Sequence, residues 1–192
     1  MTRDFVCDGL DLEVAQAFEA ALARLSAQGA TIVPFDFPEL RRLPEINGGG
    51  GLTAAESWAW HRTLLAAKGD QYDQRVAQRI RRGEKQSAAD YIDLLAARCA
   101  MQQRAAFLLR DADAWLMPTV AVRPPRLDAL DRDEDFFAVN GLVLRNASVI
   151  NFLDGCAATL PAGEGIGLGV CGLHGSDARV LQVAAAIERA FD

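Results

Sequence analysis

Apolar residues recur at helical spacing in Val14, Ala17, Phe18, Ala21 and Leu25. Asp11 is placed to cap the start of that helix and Gly29 to stop it. The run Thr31-Ile32-Val33-Pro34-Phe35-Asp36-Phe37 alternates and is β-branched, so it predicts a strand, with Pro34 placing it toward an edge. Thr53-Ala54-Ala55-Glu56 reads as a capping box for a helix through about Ala67. A short basic helix is expected from Tyr72 to Arg82, ended by Gly83. Ser87-Ala88-Ala89-Asp90 opens a long helix reaching Arg110, with Ile92, Leu95, Cys99, Ala106 and Leu109 as its apolar face.

Strand and helix signals alternate from there to the end. Ala114-Trp115-Leu116-Met117 predicts a buried strand ending at Pro118, and residues 119–135, rich in Pro and Asp, a surface loop. A helix over 142–153 leads to a strand, Cys156–Leu160, stopped by Pro161. Ile166–Cys171 is another strand, and Ser176 caps a final helix to Ala190. The expected fold is α/β, a partial mixed β-sheet flanked by helices. Four short strands among so many apolar helical faces make a thin sheet, as expected of one part of a larger one. Gly48-Gly49-Gly50-Gly51 reads as a flexible joint in an otherwise single domain, residues 1–192. The Leu52-Thr53-Ala54 that follows it lacks the Lys-Ser or Lys-Thr of a phosphate cradle.

Composition narrows the function. The chain is 51% hydrophobic, enough to build a core, yet holds no unbroken apolar run long enough to span a bilayer. The N-terminal residues carry no apolar signal segment, and the expected location is the cytoplasm. A net charge of −6 argues against a nucleic-acid partner, which needs a basic stripe. The four cysteines, Cys7, Cys99, Cys156 and Cys171, form no Cys-x-x-Cys pair and read as buried free thiols.

Candidate chemistry is sparse. His61 sits among Trp58, Trp60 and Leu64, and His174 lies in a turn; neither has a Cys or second His at ligand spacing, so no metal site is expected. No cofactor is expected either. No Gly-x-Ser-x-Gly elbow occurs, and the two lysines, Lys68 and Lys85, lack surroundings that would activate a nucleophile. Within the cluster Arg75-Arg79-Arg81-Arg82, Arg79 follows Val76 by three residues and could turn inward with it to hold a carboxylate.

A family pattern nevertheless runs through the chain. Val76-x-x-Arg79-x-x-x-Gly83, then Tyr91, Arg98 and Phe107, then Asp113-Ala114-Trp115-Leu116-Met117-Pro118-Thr119, resembles the second half of amidase-signature enzymes. Arg145 to Pro161 resembles the family's Asn-containing segment and the small-residue strand after it. Gly167 to Gly172, Gly175-Ser176-Asp177 and the last helix resemble its C-terminal ending. The resemblance implies the C-terminal portion of the amidase-signature fold and the cleavage of amide C–N bonds. It also implies that the Lys-Ser-Ser machinery and its Gly/Ser-rich signature belong to the other half, since no such stretch occurs here. No catalytic residue is therefore assigned, and the chain is expected to be inactive alone.

By the same resemblance Arg79 matches a position that contacts a substrate carboxylate in tRNA-dependent amidotransferases, while Thr119 and Asn151 lie near the substrate pocket. The acidic residue that those amidotransferases use falls near Leu144, which favours a general amidase. The expected partners are a small-molecule amide substrate in the full-length context and an N-terminal amidase half or a second copy, with no nucleic acid and no membrane. The alternative is a non-enzymatic module that self-associates or binds a partner through an exposed apolar face.

Overall fold

The structure is a computed structural model that describes residues 1–191. In chain order its elements are α1 (Leu12–Ala27), α2 (Leu43–Ile46), α3 (Gly51–Lys68), α4 (Gln74–Arg81), α5 (Ala88–Leu109), β1 (Trp115–Pro118), α6 (Asp133–Phe152), β2 (Cys156–Gly163), β3 (Ile166–Gly172) and α7 (Asp177–Phe191). They fall into two compact units. One joins Met1–Leu40 to the chain from Gln102 onward, and the other is Arg41–Met101.

The first unit is built on an antiparallel sheet of order β1-β3-β2. Alternation along the strands gives the sheet two different faces. On one, Leu116, Leu160, Leu168 and Val170 form a core with Phe18, Leu22 and Leu25 of α1 and Val180, Ala184 and Ile187 of α7. Burying each of the larger of these side chains, Ala184 excepted, contributes about 1.5–3 kcal/mol before chain entropy is counted. On the other face, Trp115 and Met117 are fully buried. The Trp115 ring meets Phe35 edge-on at 5.6 Å and Phe37 at 6.2 Å. Along β2 that same face turns small and exposed, at Ala157, Thr159 and Pro161.

The sequence places most of these elements correctly, with informative exceptions. Residues 31–37 form no regular strand. Their ladder is limited to Met1, whose N–H donates to the Val33 carbonyl at 2.7 Å and whose carbonyl accepts from the Phe35 N–H at 3.0 Å. The expected loop 119–135 contains a 3-10 turn at Leu127–Leu130 and the start of α6 at Asp133, nine residues before the apolar pattern begins at Leu142. Three acidic residues in the first turn, Asp133, Glu134 and Asp135, favour that earlier start. β2 runs past Pro161 to Gly163, which an edge strand permits.

The second unit packs Leu65 of α3 against Ala77 and Ile80 of α4, with Trp58 and Tyr72 beside them. Its caps are legible: the Asp73 side chain accepts from the N–H groups of Arg75 and Val76 at the start of α4. Ser87 and Asp90 bond reciprocally ahead of α5. Helix α3, however, opens at Gly51 rather than at Thr53. Gly50 and Gly51 both hold positive φ, and the Gly50 N–H donates to Asn47 O at 2.8 Å, so the glycine run itself turns the chain into the helix. The expected apolar face of α5 is also displaced. Leu94, Met101 and Ala105 are buried, while Ile92 and Leu95 are exposed. Alanines on every side of this helix blur the 3.6-residue signal.

Candidate functional site

A polar location forms at the end of β1 in the first unit. Beyond Pro118 the chain stays in register for one more bond, from the Thr119 N–H to the Gly167 carbonyl at 2.9 Å. The Thr119 side chain then stands on the same face as Thr159 of β2, and the two hydroxyl oxygens lie 3.3 Å apart. Gly167 of β3 sits between them. A Cβ at that position would come within 2.6 Å of Thr159 Cγ2 and 2.8 Å of Thr119 Oγ1. The missing side chain is what allows two threonines from non-adjacent strands to meet.

Below this pair the end of β1 is clamped. Asn146 of α6 is buried, and its Nδ2 donates to Pro118 O at 2.7 Å and to Val6 O at 3.0 Å. Arg145 Nη2 donates to Val6 O at 3.0 Å, and its Nη1 bonds the Asp8 carbonyl. Burial lowers the pKa of this half-buried guanidinium from its ordinary value. After β1, the Asp11 N–H donates to Ala121 O at 3.0 Å, and Asp11 Oδ2 accepts from the Arg123 N–H at 2.8 Å. Asp11 thus fixes the loop after β1 instead of turning its side chain to cap α1.

The three residues singled out in the sequence have different fates. Thr119 belongs to the hydroxyl pair just described. Asn151 lies on the exposed side of the last turn of α6, its carbonyl accepting from the Asp154 N–H at 3.1 Å. Arg79, in the second unit, is on the exposed side of α4 together with Val76; the inward-facing positions there are Ala77 and Ile80. Sequence reasoning missed Asn146, Thr159 and Gly167. The signals were a lone amide in an apolar helix, and a threonine and a glycine in strands of small residues.

The histidines, most of the serines and the lysines have local partners or face solvent. His61 Nδ1 lies 2.8 Å from the Tyr72 hydroxyl in the second unit, and His174 Nδ1 lies 3.1 Å from Asp154 Oδ2. Ser57 donates to Ala54 O at 3.2 Å, and Ser87 to Asp90 at 2.8 Å. Ser176 donates back to Leu173 O at 2.5 Å. Both lysines are exposed. The four cysteines are all unbridged thiols, but Cys99 is exposed and Cys7 and Cys156 only half-buried, so just Cys171 fits the expected burial. Burial pushes the Cys171 thiol up to about 12. Among the described residues no group of His, Cys, Asp or Glu could hold a metal ion, and no helix is long and apolar enough to cross a membrane. The threonine pair can bind and orient a polar group by hydrogen bonds but holds no titratable side chain of its own.

The sequence model of the family described as Amidase matches residues 1–181. The 2-amino-5-chloromuconic acid deaminase of Comamonas testosteroni is 33% identical over 94% of this chain, which covers 40% of that protein. An amidase of Pseudomonas putida is 27% identical over 65% of this chain, which covers 26% of that protein. Kluyveromyces lactis allophanate hydrolase superposes with a TM-score of 0.83 at 26% identity, over 97% of this chain and 31% of that one. The chain therefore spans less than half the length of these relatives, and it belongs to the amidase family.

Proposed function

We propose that this chain is the C-terminal portion of an amidase, an amide C–N hydrolase. On this reading it supplies walls of the substrate pocket, lacks the Lys-Ser-Ser half, and is inactive alone. The observation that carries the reading is the mismatch in length: nearly all of this chain aligns with the Comamonas deaminase and the Kluyveromyces hydrolase, of which it covers 40% and 31%. The local engagement of Ser57, Ser87 and Ser176 and the exposure of Lys68 and Lys85 support it, because none is arranged as an activated nucleophile.

Within this reading residues 1–192 act as one amidase portion. Thr119, held by the Gly167 carbonyl and partnered by Thr159, forms part of the wall, and Asn146 sets the height of that wall through Pro118. Arg79 is the proposed contact for a substrate carboxylate, and Asn151 a further lining residue. The test is direct assay of the purified chain against a panel of linear amides. Turnover indistinguishable from buffer is expected, and turnover clearly above it would overturn the inactivity.

A second reading, a non-enzymatic module that self-associates or binds a partner, is favoured by the exposed Ile92 and Leu95 on α5. Light scattering tests it, and a concentration-independent monomer would remove its self-associating form.

A further inference from the structure

In the second unit the sequence offers α3 two places to begin. The structure uses the first, at Gly51, with Gly50 in the left-handed region and no side chain capping the helix. The second is the capping box Thr53-Ala54-Ala55-Glu56, unused here although Thr53 and Glu56 are both exposed. The first start is held from outside the helix. The 3-10 turn Arg82–Lys85 lies against it so closely that a Cβ at Gly83 would fall 2.0 Å from the Ala54 carbonyl oxygen. A side chain at either end of that turn reaches the glycine run: Arg82 Nη2 donates to Gly48 O at 2.7 Å, and Gln86 Nε2 to Gly51 O at 3.2 Å. The bond that closes the first turn, from the Ala54 N–H to Gly50 O, is long at 3.3 Å.

Opposing effects meet at this helix start. Ordering the successive glycines 48–51 costs more chain entropy than ordering the same number of any other residue. Gln86 Oε1 is buried with no hydrogen-bond partner among the described residues, so the grip on Gly51 carries an unmet acceptor. The bonds from Arg82 and Gln86 stand against both. We propose that the start of α3 is a latch with two states. In one it is clasped at Gly51 by Arg82 and Gln86; in the other, residues 48–52 are released and the helix restarts at Thr53 on its own capping box. The Thr53 hydroxyl oxygen then accepts from the Glu56 N–H, and the Glu56 carboxylate accepts from the Thr53 N–H. Ala54 stays helical in both states, so its packing against Gly83 is kept and the change is confined to the glycine run. The run acts as a joint only when the two side chains let go. The latch does not rest on the amidase reading.

Hydrogen exchange at the Ala54 amide tests this, because its bond to Gly50 O belongs to the clasped state alone. In the full chain, Arg82→Ala combined with Gln86→Ala should speed that exchange about tenfold or more and leave the Leu65 amide, about three turns on, unchanged. Thr53→Val removes the capping oxygen but keeps a β-branched side chain of similar helix propensity. It should slow Ala54 exchange about fivefold, after correction for the intrinsic rate of the new sequence, by disfavouring the released state. Glu56→Gln keeps the box and should stay near the original rate. Simple fraying of a helix end gives no slowing when an exposed hydroxyl is lost, so Thr53→Val decides the matter even where the double variant does not fold. Unchanged or faster exchange in Thr53→Val would overturn the inference, as would Ala54 and Leu65 speeding up together in the folded double variant.

Discussion

Thr119 and Thr159 come from strands that are not neighbours, yet their hydroxyls lie 3.3 Å apart across Gly167 of the strand between. Gly167→Ala should therefore destabilise the first unit by about 1–3 kcal/mol through overpacking. Urea denaturation measures the loss. Thr159→Ser, which deletes the methyl nearest the new Cβ, should restore part of it. A Gly167→Ala protein as stable as the original would show that the two strands yield freely at this point.

Asn146→Ala should cost about 1–3 kcal/mol, because it leaves the buried carbonyls of Pro118 and Val6 without this donor. Asn146→Asp offers acceptors where donors are needed and should be at least as harmful. Thermal melts of both variants check the order, and an Asn146→Asp protein more stable than Asn146→Ala would contradict the bonding described.

Cys171 supplies a pH prediction. Its folded thiol is raised to about 12 from an ordinary value of 9.0, by burial first and by nearby Cys156 second. Below pH 9 both folded and unfolded thiols are protonated, and the group does not oppose folding. Between about 9 and about 12 the unfolded chain ionises first, so stability falls as pH rises through that window. Cys171→Ala should flatten this alkaline decline in denaturation midpoints measured across the range.

The same thiols differ in access. A maleimide should modify exposed Cys99 in the native protein and leave Cys171 unmodified until the chain unfolds. Mass spectrometry of peptides after short exposure reads this out. Equal labelling of the two would contradict the burial of β3.

Periodicity made α1, α7 and the strand cores readable, because each has one buried face and alternate or 3.6-spaced apolar positions. It misled along α5, where alanine on all sides leaves no preferred face and Leu94, not Leu95, is buried. It was silent at the start of α6, where the first turn is acidic. The threonine pair was half legible. Thr119 stood out beside Pro118, but its partners Thr159 and Gly167 are 40 and 48 residues away, and only strand register brings them together. The role of Asn146 depends on two backbone carbonyls from distant parts of the chain, which no local pattern encodes.

Pro161 has a bearing on how the sheet behaves in a crowded solution. Opposite Gly167, whose carbonyl is taken by Thr119, its backbone faces away from β3, and proline has no N–H to offer there. A foreign strand adding along β2 would lose a rung of its ladder at that residue. The β2 edge of the sheet is therefore a poorer template for aggregation, through one missing hydrogen.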